Sequence, residues 1–167
     1  MTTDHALARV RERLAGISDL YNRLVLVVGP SGSGKTTVLR ALGQAENASV
    51  LAVGETVSQR LLDLTERQRV LQLPAILEES VADLQPDMTL LDNTEVLFSP
   101  ALKQDPLRLL QRISRNRTVV ASWLGNVDGS HLTYAVPDHP EFRRYPTEDL
   151  LVVPLHDSDE HFDKVEK

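Results

Sequence analysis

Five short apolar runs punctuate the chain, at 24–28, 49–53, 88–92, 118–123 and 150–155, each bounded by polar or turn residues. Runs of this length read as strands covered on both faces. Between them, apolar residues recur at helical spacing. Leu7, Val10, Leu14 and Ile17 predict an amphipathic helix over 4–17, with Arg9, Arg11, Glu12 and Arg13 on its other sides. A helix follows the first strand through Leu42 and stops at Gly43. Val57, Leu61 and Leu64 predict a short helix that Ser58 would cap. Ile76, Leu77, Val81 and Leu84 stripe another, with Pro74 suited to its first turn and Pro86 ending it. The stretch 65–73 is ambiguous: Thr65 and Gln68 have capping-box spacing, but Val70, Leu71 and Leu73 alternate loosely. Asp105-Pro106 opens a last helix, whose Leu107, Leu110 and Ile113 face inward. Alternating strands and helices predict an α/β fold: a parallel sheet of about five strands with helices on both faces.

Length and composition narrow the picture. The 167 residues suit one domain, taken as 1–155, with 1–20 as an added N-terminal helix and 156–167 as a polar, acidic tail expected to fray. Acidic residues outnumber basic ones by 24 to 18, which argues against a broad basic face for nucleic acid; a local contact with DNA stays open. With no cysteine there is no disulfide, thiolate metal site or cysteine nucleophile. No apolar stretch approaches the ~18 residues of a membrane span, and charges run through the first 15 residues, so a cytoplasmic protein is expected.

The chemistry starts at the end of the first strand. Gly29-Pro30-Ser31-Gly32-Ser33-Gly34-Lys35-Thr36 fits G-x-x-x-x-G-K-[ST], and it stands between a strand and a helix, the context that this phosphate-binding loop requires. Its glycines permit backbone torsions in which successive N–H groups turn inward as a nest for phosphate oxygens. The helix start, with Thr37 in its first turn, aims its positive end at the same point. Lys35 supplies a mobile charge for the β- and γ-phosphates, and the Thr36 hydroxyl is placed to ligate Mg²⁺.

Met88-Thr89-Leu90-Leu91-Asp92 is a strand closing on an acid, as a Walker B segment does; Asp92 is then expected opposite Thr36, on the Mg²⁺. A strand at 49–53 precedes it, which is compatible with the P-loop branch in which another strand lies between the Walker strands. That branch commonly has a glutamate directly after the aspartate, to polarise the attacking water. Here Asn93 stands there and the next acid is Glu95, which takes the base role only if the strand end bends. The departure argues against fast hydrolysis.

Several further residues carry alternatives. Arg108, Arg112 and Arg115 fall at i, i+4 and i+7, followed by Arg117: a solvated helix face, an arginine finger for a neighbouring subunit, or a phosphate-backbone contact. Ser122 and Asn126 are the candidates for a γ-phosphate sensor at the end of the fourth strand. Residues 125–147 hold Gly125, Asp128-Gly129, Pro137, Pro140 and Pro146, and read as a long partner-facing or nucleotide-edge loop. Its His131 and His139 lack metal-ligand spacing and read as surface residues.

The P-loop, Ala52-Val53-Gly54, the segment from Leu90 to Phe98, Leu102-Lys103-Gln104-Asp105-Pro106-Leu107, Ser114 to Val120, and Tyr134 to Tyr145 together resemble the P-loop protein of type 3 BREX phage-defence systems, the BrxF family. The resemblance spans about residues 24–155. It implies ATP binding and action alongside the other proteins of such a system. The expectation is therefore a Mg²⁺-dependent, slow or partner-stimulated ATPase, with Lys35 and Glu95 catalytic. Gly29, Pro30, Ser31, Gly32, Ser33, Gly34, Lys35, Thr36 and Thr37 would bind the nucleotide, and Thr36 and Asp92 the metal. Self-association stays open. So do two other functions: a nucleotide-gated assembly module without hydrolysis, for which Asn93 speaks, and a small-molecule P-loop kinase, which would need an arginine-rich lid.

Overall fold

The P-loop strand β1 (Leu24–Gly29) is buried at all six positions, and the rest of the chain is arranged on its two sides. The computed structural model describes residues 2–134 and 143–155; the expected tail at 156–167 and His139 lie outside them. Five parallel strands run in the order β2 (Val50–Ala52), β3 (Thr89–Asp92), β4 (Val119–Asp128), β1 and β7 (Leu151–Pro154). β4 thus lies between the P-loop strand and the strand ending in Asp92, pairing Leu24 with Val119 on one side and Thr89 with Val119 on the other. This is the inserted arrangement, and the α/β expectation holds.

Alternate residues of β1 feed two separate cores. Val25 and Val27 point to the face covered by α1 (Thr3–Leu14) and α2 (Lys35–Glu46), through Ala6, Val10, Val38, Leu39 and Leu42. Leu24, Leu26 and Val28 point to the face covered by α3 (Val53–Leu61), α4 (Glu66–Val81) and α5 (Pro106–Ile113). A strand wet on neither side has no polar positions to alternate, which is why β1 reads as one apolar run. α1 packs on α2 and on β7, the edge strand.

Four elements differ from the sequence reading. α2 does not stop at Gly43 but runs through it to Glu46, and Asn47, in the left-handed region at φ 54°, ends it. The ambiguous stretch and the helix expected from Pro74 are one helix, α4, with Pro74 inside it; the Thr65–Gln68 capping box is formed in both directions. Leu73, Ile76, Leu77 and Val81 are all buried, so packing of this face offsets the backbone hydrogen bond that Pro74 cannot make. α3 begins at Val53 rather than near Ser58, because Gly54 N–H donates to Asn93 O and ties the helix start to the end of β3. Finally, of the expected loop 125–147, the described residues 125–134 and 143–146 are largely strand, while Pro137 and Pro140 lie outside the described residues. β4 continues past the parallel sheet and pairs antiparallel with β5 (His131–Tyr134), which pairs with β6 (Arg143–Pro146). The two-residue connection Gly129-Ser130, with Gly129 at φ 57°, closes the first hairpin. Phe98, Trp123, Tyr134 and Tyr145 form one aromatic cluster beneath this extension, Phe98 stacked on Tyr134 at 3.5 Å between ring centres.

Candidate functional site

The P-loop and the carboxyl ends of β3 and β4 border one open cleft of about 640 Å³. Gly32 (φ 80°) and Gly34 (φ 99°) hold left-handed torsions that side chains rarely adopt, and they turn the chain from β1 into α2. No side chain caps α2, so the N–H groups of its first turn, at Lys35, Thr36 and Thr37, are open to an anion. Ser31, Gly32, Gly34, Lys35, Thr36 and Thr37 all line the cleft.

Gly29, Pro30 and Ser33 support the loop from beneath. Lys35 Nζ donates to Gly29 O at 2.9 Å and to Pro30 O at 2.8 Å. A Cβ on Gly29 would overlap the Ser33 hydroxyl and lie 2.6 Å from Leu155 O, so the loop packs directly on the end of β7. Ser33 Oγ is buried with no partner. Partial burial pulls the Lys35 ammonium below its ordinary range, against the opposing charges of Glu95 and Asp92.

Thr36 Oγ1 donates to Asp92 Oδ2 at 2.6 Å, the short length of a charge-assisted bond. The hydroxyl and the carboxylate are 56 residues apart in sequence and meet because β1 and β3 run parallel and so direct their carboxyl ends to the same edge of the sheet. After Asp92 the strand does bend. Asn93 takes φ 56°, ψ 53°, and a 3-10 turn over Thr94–Phe98 follows. Glu95 thereby enters the cleft, half-buried, with Oε2 buried and lacking a hydrogen-bond partner. The Thr94 hydroxyl anchors this turn on Ser122 O at 2.7 Å.

The other candidates lie elsewhere. Ser122 is buried in the sheet and Asn126 is exposed in the β4–β5 ladder; neither lines the cleft, where Leu124 stands instead. The arginines form no stripe, because α5 ends at Ile113. Arg108 pairs with Asp105 at 3.6 Å and Arg112 with Glu78 at 3.1 Å. Arg115 lies over the Tyr21 ring at 5.1 Å, and Arg117 donates to Thr89 Oγ1 at 3.0 Å and to Leu84 O. None of the four lines the cleft. His131 meets Arg144 at 3.2 Å.

Sequence reasoning missed Arg40, Glu55 and Asn93 as lining residues. Arg40 lies on α2 one turn beyond Thr36, so helical spacing could have found it. Glu55 had no such signal: it reaches the cleft only because α3 starts at Val53, four residues before the first position of its apolar spacing, Val57.

The oxygen donors fit a magnesium ion carried in by phosphates. Mg²⁺ takes one or two protein oxygens and completes its shell with phosphate and water, which is what Thr36 and Asp92 offer. Among the described residues no group of three or more His, Cys, Asp or Glu gathers into a closed metal cage.

The AAA ATPase domain model matches residues 4–140, most of the chain. No curated protein matches. Solved structures with similar folds include AMPPCP-bound DnaA from Aquifex aeolicus, at 17% identity and a TM-score of 0.47 over 94% of this chain and 47% of that one. They also include PCH-2 of C. elegans, at 18% identity and 0.44 over 92% and 41%. The chain therefore spans less than half the length of either. No helix among the described residues is long and apolar enough to cross a membrane.

Proposed function

The chain belongs to the AAA ATPase domain family, and on that premise we propose that this nucleotide-binding P-loop protein binds ATP with Mg²⁺ and hydrolyses it slowly or under stimulation by a partner. The observation that carries this is the 2.6 Å bond between Thr36 and Asp92 at the mouth of the P-loop. Residues 1–155 act as one nucleotide-binding domain, with 1–20 as its added helix.

Each residue has a distinct task. The loop amides and the first-turn N–H groups of α2 receive phosphate oxygens, and Lys35 adds a positive charge. Thr36 and Asp92 hold the magnesium, which when bound would neutralise charge on the phosphates. Glu95 orients the attacking water: its carboxylate lines the cleft with Lys35, Thr36 and Asp92. The proton removed from that water passes to the Glu95 carboxylate as oxygen attacks the terminal phosphorus and the bond to the leaving diphosphate breaks.

The resemblance to the BREX P-loop family supports a place among cytoplasmic phage-defence proteins, with other proteins of that system as partners. A second reading, nucleotide gating without hydrolysis, is favoured by Asn93 in the position directly after Asp92. Phosphate release measured across protein concentration, for the wild type beside Lys35→Ala and Glu95→Gln, separates the two. Turnover lost in both variants supports an ATPase with Glu95 as its base. Tight ATP binding without release in the wild type, both alone and with the other proteins of the system added, refutes hydrolysis and leaves the gated module.

A further inference from the structure

Glu55 lines the cleft and has no task in the reading above. It sits in the first turn of α3, 38 residues from Asn93 in sequence. Three features lock this helix start to the end of β3. Gly54 N–H donates to Asn93 O at 2.9 Å. Asn93 Nδ2 donates to Glu55 Oε1 at 2.9 Å. Gly54 also has no side chain where one would collide: a Cβ there would lie 2.6 Å from Asn93 Nδ2.

Asn93 holds the left-handed torsions φ 56°, ψ 53°, which asparagine tolerates better than most residues but which persist only when the surroundings hold them. The next residues form the 3-10 turn that carries Glu95 into the cleft. The torsions at Asn93 therefore decide where Glu95 points, and the amide that holds them is held in turn by Glu55.

We propose that Glu55 is a positioning residue: its carboxylate grips the Asn93 amide, fixes the left-handed turn at the end of β3, and so sets Glu95 in the cleft. The proposal rests on the reading of Glu95 as the water-orienting acid. It assigns Glu55 the work of a hydrogen-bond acceptor, which needs an oxygen at Oε1 and not a negative charge. Glutamine offers the same oxygen; alanine offers none.

The test compares Glu55→Ala with Glu55→Gln. Alanine is expected to lower kcat about two- to ten-fold, the scale of one lost hydrogen bond, while nucleotide Kd changes less than about two-fold because the P-loop is untouched. Glutamine is expected to restore most of kcat. A second readout needs no turnover. Phe98 ends the same 3-10 turn and meets Trp123, the chain's one tryptophan, edge-on at 4.7 Å. Tryptophan emission should therefore shift in Glu55→Ala and return to the wild-type value in Glu55→Gln. Equal loss of kcat in both variants would mean that the charge itself acts, and would overturn the proposal. Unchanged kcat and emission in the alanine variant would overturn it as well. If the wild type binds nucleotide without hydrolysing it, the hydrolysis reading fails alone, and the emission comparison still decides for or against the Glu55 contact.

Discussion

Replacing Phe98 tests whether the aromatic cluster holds the turn that carries Glu95 in place. The ring is fully buried, stacked on Tyr134 at 3.5 Å and 8°, and set edge-on to Trp123 at 4.7 Å and 84°. Removing a buried phenylalanine to alanine costs about 3–5 kcal/mol, from lost transfer energy and the cavity left behind. Each aromatic pair contributes about 0.5–1.5 kcal/mol beyond burial. Phe98→Leu retains most of the apolar area but loses both pairs, so it should cost roughly 1–3 kcal/mol. Against a total stability of about 5–15 kcal/mol, the alanine change is a large fraction. For a domain of this size it should lower Tm by about 6–20 °C. Circular dichroism through urea and thermal unfolding measures both variants. Because Glu95 lies three residues before Phe98 on one 3-10 turn, kcat should fall further than nucleotide affinity. A loss below about 1 kcal/mol in Phe98→Ala, or equal losses in the two variants, would refute the argument that ring packing fixes this turn.

Other outcomes follow from single contacts. Gly29→Ala should abolish nucleotide binding in a direct titration, because its Cβ meets Ser33 Oγ and Leu155 O beneath the loop. Gly125→Ala should unpair β5 from β4, since a Cβ would overlap Thr133 O; hydrogen exchange should rise at 131–134 while nucleotide affinity is kept. Thr65→Ala should cost about 1 kcal/mol in urea unfolding, the usual worth of an N-cap, because it removes one half of a formed capping box. Tyr145 has its phenol pushed well above the ordinary 10.0, by burial first and then by the charge of Asp105 and a 3.0 Å hydrogen bond to it. The unfolded chain therefore releases this proton before the folded one does, so stability is full below pH 10 and falls as pH rises beyond it. Tyr145→Phe should flatten that fall.

The parts legible in the sequence were those written in local pattern. The P-loop, its flanking strand and helix, Asp92 at a strand end and the Asp105-Pro106 helix start each depend on neighbours within a few residues. Glu95 was legible as a conditional: it needed a bend, and the left-handed Asn93 makes one. What escaped depended on partners far along the chain. Pro74 reads as a helix start until the buried face of Leu73, Ile76 and Leu77 is seen to carry the helix through it. The β4–β5–β6 extension was hidden because Gly and Pro mark hairpins and loops alike; Gly129-Ser130 and the alternation Leu132, Tyr134 were its local signs. Glu55 was invisible because its one defining contact spans 38 residues. The arginines misled for the opposite reason: regular spacing continued past the point where the helix stops.

The two carbonyls that grip Lys35 make the loop a competitor for its own cation. A ligand does not meet a free ammonium; it must outbid Gly29 O and Pro30 O for it. A chain of several phosphates can first settle on the loop amides and then draw the ammonium across. Every anion that draws Lys35 away therefore has to offset the loss of these two bonds, and a chain of several phosphates brings the most contacts with which to do so.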